Sequence, residues 1–283
     1  MRILTGGVAF FDSGIGGITV LDSAKRALPN ELFYYYGDNE HAPYGNLTDE
    51  QIMSFVKASM ERLQTLHIKA VVLACNTATA VCVEKLRKTY PFPIIGAEPA
   101  ILPACALGGD ILILSTRATY QSERFCSLIT RAQTRYPNAR ITAKPCDLLA
   151  GAIERNLGKA HFDFAKYLPT ADKAYRAVVL GCTHYIYIKK QISEYYHCET
   201  VDGNDGIVRR LQNLLKTDCD KSRDTQPLVT PPVRLGENRV DMDGDIYNPA
   251  HSQIGKNAPI YFIGSQKQHN RLIYEQMFAN PCK

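Results

Sequence analysis

Two stretches of this chain are written almost alike. KAVVLACNTA begins at Lys69 and RAVVLGCTHY at Arg176. Each is an apolar run of strand length that ends in a cysteine followed by a short polar cluster. A chain that repeats a strand together with its strand end is constrained to fold as two similar units. The neighbouring segments give the class of unit. VAFF (8–11), LFYYYG (32–37), AVVLAC (70–75) and PIIG (93–96) read as strands separated by helical patterns. Thr48 caps an amphipathic helix expected from Asp49 to Leu66, with Ile52, Phe55, Val56, Met60 and Leu63 on its apolar face. The alternation then restarts, with a strand at DILILST (110–116), one helix over TYQSERFCSLITRAQ, and strands at ARITAKP (139–145), AVVLGC and TVDG (200–203). This pattern predicts an α/β fold of two similar domains, each a mainly parallel sheet covered by helices, with a cleft between them. The first domain is expected to hold residues 1–98 and 208–283, and the second 99–207. The strand PIYFIG (259–264) and a last helix would return to complete the first domain.

Composition narrows the function. The chain has 283 residues, enough for two cores. No apolar run reaches the roughly 18 residues a membrane helix needs. The N-terminus, MRILTGGVAFFDSG, lacks a signal-peptide layout, so the expected location is the cytoplasm. The 33 Lys and Arg against 28 Asp and Glu leave a net charge of +5, scattered without a run, and no nucleic-acid partner is expected. None of the nine cysteines forms a CxxC pair, and neither a zinc site nor a disulfide framework is expected. In the loop 220–258, Asp241, Asp243 and Asp245 hint at a calcium loop. The glycine is misplaced, however, and Ser252 stands where the bidentate Glu belongs, so the segment reads as a solvated turn and no metal is expected.

In an open α/β sheet, ligands bind beyond the carboxyl ends of the strands. Cys75 and Cys182 both sit there, followed by Asn76-Thr77 and Thr183-His184 as helix starts. A helix N-terminus is expected to lower a thiol from its usual pKa of about 8.5 and to attract carboxylates. One such cysteine alone would read as core packing. Two in equivalent places, on facing domains, would flank a bound molecule from opposite sides. Opposed thiols suit the inversion of a stereocentre: one removes the proton from a carbon and the other returns one to its far face. FFDSGIGG (10–17) sets Asp12 and Ser13 at a strand end; it is neither a Walker loop nor GxGxxG, but its glycines would let backbone N–H groups approach an anion. Tyr44 and Gly45, in GDNEHAPYGN (37–46), could close over the ligand. His184 could poise the Cys182 thiol. Glu154, in LLAGAIE, could pair with His184 or could lie on a solvated helix face.

DSGIGG, PYG, ACNTA, Glu98-Pro99 and LGCTHY, in this order and at these separations, resemble the glutamate racemases of the aspartate/glutamate racemase superfamily. The resemblance spans most of the chain. It implies a cofactor-independent enzyme with its active site between two α/β domains, in which Cys75 and Cys182 act as the acid/base pair at Cα of glutamate. It further implies that Asp12 assists Cys75 and that His184, with Glu154, assists Cys182. Asp12, Ser13, Tyr44, Gly45, Asn76, Thr77, Thr183 and His184 would bind the substrate. The implied product, D-glutamate, feeds peptidoglycan synthesis, and a homodimer is implied. One departure stands out: the family continues CTHY with proline, and here Ile186 follows in YIYIKK, so the helix after Cys182 is expected to begin differently. The competing readings are a racemase for aspartate or another acidic amino acid, a thiol amidohydrolase built on Cys182, His184 and Glu154, and a non-catalytic binder of acidic amino acids.

Overall fold

The computed structural model describes residues 6–159, 162–221, 245–247, 258–264 and 266–279. The first sheet has six strands in the order β4-β3-β1-β2-β10-β9. Its strands are β1 (Gly7–Asp12), β2 (Phe33–Gly37), β3 (Ile68–Leu73), β4 (Ile94–Gly96), β9 (Asp245–Tyr247) and β10 (Ile260–Ile263). The second has four in the order β6-β5-β7-β8: β5 (Gly109–Ser115), β6 (Ala139–Pro145), β7 (Ala177–Gly181) and β8 (Glu199–Val201). All pairings are parallel except that of β10 with β9.

The two sheets share one wiring. β1 lies between β2 and β3, with β4 outside β3; β5 lies between β6 and β7, with β8 outside β7. β1 and β5 are therefore counterparts, as are β3 and β7, and the two copied sequences occupy the same place in their sheets. Both faces of each sheet are covered, which is why these strands read as unbroken apolar runs. In the first sheet Val8, Phe10, Val72 and Tyr35 share a core with residues of α1 (Ile18–Ala27) and α9 (Asn204–Lys221). Ala9, Phe11, Val71 and Leu73 face the other way, toward α2 (Asp49–Leu63) and α3 (Asn76–Thr89). In the second sheet Leu112, Leu114, Val178 and Leu180 pack with α7 (Leu149–Asn156) and α8 (Lys189–Tyr196). Ile111, Ile113, Ala177 and Val179 pack with α4 (Ile101–Cys105) and α6 (Glu123–Arg135).

The elements depart from the sequence expectation in three places and follow it in a fourth, after Cys182. α2 stops at Leu63, not Leu66: the Thr65 hydroxyl donates to the Arg62 carbonyl at 2.8 Å and turns the chain into β3. The single helix expected over 119–133 is two helices, α5 (Arg117–Gln121) and α6, because Ser122 adopts extended backbone (ψ 142°) and accepts a hydrogen bond from Phe125 N. After Cys182, residues Thr183–Ile188 form a 3-10 turn and the α-helix α8 begins only at Lys189, in keeping with the absent proline. The segment 220–258, expected as a loop, contains β9. Of the three aspartates that hinted at a calcium loop, Asp241 and Asp243 lie outside the described residues. β10 returns parallel beside β2 and is followed by α10 (Lys267–Tyr274). No helix among the described residues is long and apolar enough to cross a membrane.

Candidate active site

The carboxyl ends of β1, β3, β5 and β7 meet where the two domains touch. β1 ends at Asp12, whose Oδ1 accepts from Gly14 N at 3.0 Å and whose Oδ2 accepts from the Thr183 hydroxyl of the other domain at 3.1 Å. Burial pushes the Asp12 carboxyl up to about 6, against the lowering pull of His184 and the Gly14 N–H. β3 ends at Leu73, and Cys75 caps α3, with its sulfur 3.4 Å from Ala78 N and 3.5 Å from Ser13 Oγ. The expected lowering of this thiol is not found. Burial pushes Cys75 up to about 12, charge at Asp12 and Cys182 adds to the rise, and the Ala78 N–H and Ser13 hydroxyl only partly oppose it. One cap hydrogen bond is worth less than the loss of water around a thiolate.

β7 delivers Cys182, whose sulfur lies 3.8 Å from His184 Nδ1. The other ring nitrogen, Nε2, is hydrogen-bonded to Glu154 Oε2. Glu154 also accepts from Asn39 Nδ2 at 2.9 Å and from Ile15 N at 3.4 Å, both of the first domain. Burial of His184 opposes its charge, but the Glu154 carboxylate and the contact with Cys182 outweigh it and hold the imidazole well above its usual pKa. Burial likewise raises Glu154, and His184 together with the Asn39 and Ile15 donors brings it below the usual carboxylate range. The two form an ion pair, with the imidazolium's remaining N–H directed at Cys182.

The glycines of DSGIGG serve protein groups. A Cβ on Gly16 would stand 2.3 Å from Thr183 Oγ1 and 2.7 Å from His184 Nδ1, and one on Gly14 would stand 2.8 Å from Glu154 Oε2. The anions approached by this turn are the chain's own Asp12 and Glu154. They let the second domain seat itself against the first.

The remaining predicted residues divide. Tyr44 is buried and donates to Asp38, and burial pushes its phenol far up. Gly45 lies against Thr116, where a Cβ would be 2.9 Å from the Thr116 Cβ. Thr77 Oγ1 is 2.9 Å from Thr116 Oγ1 and 3.3 Å from Thr119 Oγ1. Asn76 is buried with Oδ1 lacking a hydrogen-bond partner. A groove of about 360 Å³ opens beside Gly45, lined by Thr48, Arg117, Gln121 and Ser122 among others; neither cysteine lines it. Asn39, Thr116 and Thr119 were not singled out from the sequence. Thr116 was within reach: it follows β5 as Ser13 follows β1, so mapping one copy of the wiring onto the other points to it. Among the described residues no group of three or more His, Cys, Asp or Glu could hold a metal ion.

Two parallel-sheet domains that each bring a thiol to the counterpart strand end, over a shared seam, define a duplicated α/β protein with paired thiols. The chain belongs to the Asp/Glu/Hydantoin racemase family, whose pattern matches residues 20–211. It is 41% identical over 219 residues to a glutamate racemase of Clostridium kluyveri, covering 74% of this chain and 83% of that protein. Among solved structures it is similar to Escherichia coli glutamate racemase in complex with L-glutamate and the activator UDP-MurNAc-Ala, at 28% identity and TM-score 0.67 over 75% of this chain and 83% of that one. Glutamate racemase from Campylobacter jejuni, at 22% identity, shares the fold with TM-score 0.70 over 98% of this chain and 100% of that chain.

Proposed function

We propose that this chain is a cofactor-independent glutamate racemase that interconverts L- and D-glutamate by proton transfer between two thiols. The observation that carries the reading is the placement of Cys75 and Cys182 at counterpart strand ends, each with its own partners, across one seam. In one direction the Cys182 sulfur takes the Cα proton of the bound amino acid while the Cys75 thiol delivers its proton to the opposite face; in the other direction the roles exchange. The rise of Cys75 to about 12 keeps it a neutral proton donor until substrate arrives. The substrate's ammonium then supplies the positive charge that burial denies the sulfur. Asp12, near 6, is mostly ionised at neutral pH and attracts that ammonium beside Cys75. The imidazolium of His184, held by Glu154, stabilises charge developing on Cys182. Ser13, Tyr44, Gly45, Asn76, Thr77 and Thr183 bind and enclose the carboxylates. Residues 1–98 with 208–283 form one domain of this enzyme and 99–207 the other. The protein works in the cytoplasm as a homodimer, and its D-glutamate supplies peptidoglycan synthesis.

The Cys182–His184–Glu154 contacts also fit a thiol amidohydrolase. One experiment separates the readings. The protein is incubated with each enantiomer of glutamate, and separately of aspartate, in D₂O without added cofactor, and optical rotation and Cα deuterium are followed. The expected result is racemisation of glutamate with solvent deuterium in the product, lost in both Cys75→Ala and Cys182→Ala. Undiminished turnover in Cys75→Ala would sink the two-thiol reading. Faster turnover of aspartate would reassign the substrate.

A further inference from the structure

We propose that Asn39 and Asn270 are positioning residues for the Cys182 half of the reaction, joined as a hydrogen-bonded relay that makes the C-terminal helix part of the active site. The inference rests on the reading of Cys182, His184 and Glu154 as one acid/base unit.

The relay is continuous. Asn270, on α10, donates from Nδ2 to Asn39 Oδ1 at 2.9 Å. Asn39, two residues past β2, donates from its own Nδ2 to Glu154 Oε1 at 2.9 Å. Glu154 then meets His184 through Oε2, and His184 Nδ1 reaches the Cys182 sulfur. The amide of Asn39 works in one orientation only: turned over, it would set its oxygen against the carboxylate and its NH₂ against that of Asn270. Asn270 supplies the acceptor-to-donor match that fixes this orientation. Asn39 in turn supplies a donor to Oε1, which otherwise has no side-chain donor among the contacts of Glu154.

Two further features mark the relay as built. Asn270 is fully buried, and its Oδ1 has no hydrogen-bond partner. Burying an amide with one group unmatched costs stability, which a residue kept for packing alone would not repay. Gly37, at the end of β2, makes the room: a Cβ there would stand 2.8 Å from both Asn270 Nδ2 and Asn39 Oδ1. A strand residue with any side chain would push the helix amide away from Asn39.

The test uses the asymmetry of a two-thiol reaction. Each thiol removes the proton of one enantiomer only. Slowing the Cys182 half-reaction should raise the Cα-deuterium isotope effect for the enantiomer deprotonated at Cys182 and lower it for its mirror image, deprotonated at Cys75. Asn39→Ala is expected to reduce kcat about tenfold, the scale of one charge-assisted hydrogen bond, with little change in KM and with this opposed shift in isotope effects. Asn39→Asp, which sets a second carboxylate against Glu154, should lose more. Asn270→Ala should show the same signature more weakly, and Asn270→Ser, which keeps a donor, should recover part of it. Asn39 is only half-buried, so Asn39→Ala decides the matter even where Asn270→Ala fails to fold. Isotope effects in Asn39→Ala that match the unaltered protein for both enantiomers would overturn the relay. Absence of Cα exchange in the unaltered protein would instead overturn the racemase reading beneath it.

Discussion

Asp12 shows at the scale of one residue what this site costs the fold. Burial raises its pKa in the fold to about 6, from an ordinary 3.8. A group raised on folding contributes stability below its unfolded pKa and loses it as pH rises through the folded one. Asp12 therefore weakens the protein at neutral and alkaline pH by an amount on the order of 3 kcal/mol, since each pKa unit is about 1.4 kcal/mol. Asp12→Asn keeps the shape and can still accept from Gly14 N. It is expected to abolish racemisation while raising stability by about 1–3 kcal/mol at pH 8, measured by urea unfolding. The gain should shrink as pH falls through 6 and vanish near pH 4, where Asp12 carries its own proton. A constant gain across that range would refute the assignment. Asp12, Ser13 and both cysteines were legible from sequence because a strand end followed by a helix start is a local pattern. The Glu154–His184 pair came from the family resemblance alone, since 30 residues separate its members and a Glu on a short helix could equally face solvent. Asn39 and Asn270 were further out of reach, being 231 residues apart.

At the scale of elements, apolar runs and caps carried most of the reading. The central strands β1, β2, β3, β5 and β7 were legible because they are mostly buried on both faces, and Thr48 forms the capping box its sequence suggests, exchanging bonds with Gln51. The break between α5 and α6 was missed because TYQSERFCSLITRAQ keeps a helical apolar period straight through it. Only the backbone at Ser122 reveals that this serine is a cap rather than an interior residue. The two roles predict opposite results. In a continuous helix Ser122→Ala would stabilise slightly and Ser122→Gly would destabilise. As a cap, Ser122→Ala should cost about 1 kcal/mol and lower Tm by about 2–4 °C, while Ser122→Gly should cost only a few tenths. Thermal unfolding of the two variants decides between them. The break matters because it lets α6 present Arg124 to Glu98 and Glu84 of the first domain.

For the whole molecule, the repeated strand pointed correctly to duplicated α/β architecture, and the tail was expected to return to the first domain; that its strand β10 pairs with β2 came only with the structure, because pairing partners are not local. In the assembled fold both thiols are nearly out of reach of solvent, Cys75 at 5% exposure and Cys182 at 7%. An amino acid can meet them only if the domains part. What holds them together crosses the seam: Thr183 to Asp12, Tyr187 to the Ile15 carbonyl, Asn46 to the Asp147 carbonyl, and the Arg124 ion pairs. The Arg124 pairs involve neither sulfur nor any hydrogen-bond partner of one, so they are the place to loosen the seam. Arg124→Ala should favour the parted state by roughly 1 kcal/mol and speed alkylation of Cys75 and Cys182 by iodoacetamide about threefold to fivefold. Cys82 supplies the control. It is fully buried in the first domain's core, and burial pushes it up to about 12 as it does Cys75, so the two thiols differ mainly in access to the seam. Peptide mapping after a timed pulse of reagent reads each cysteine separately. Opening at the seam accelerates Cys75 and Cys182 and leaves Cys82 unchanged; general loosening of the fold would accelerate all three, and the gating argument would then fail.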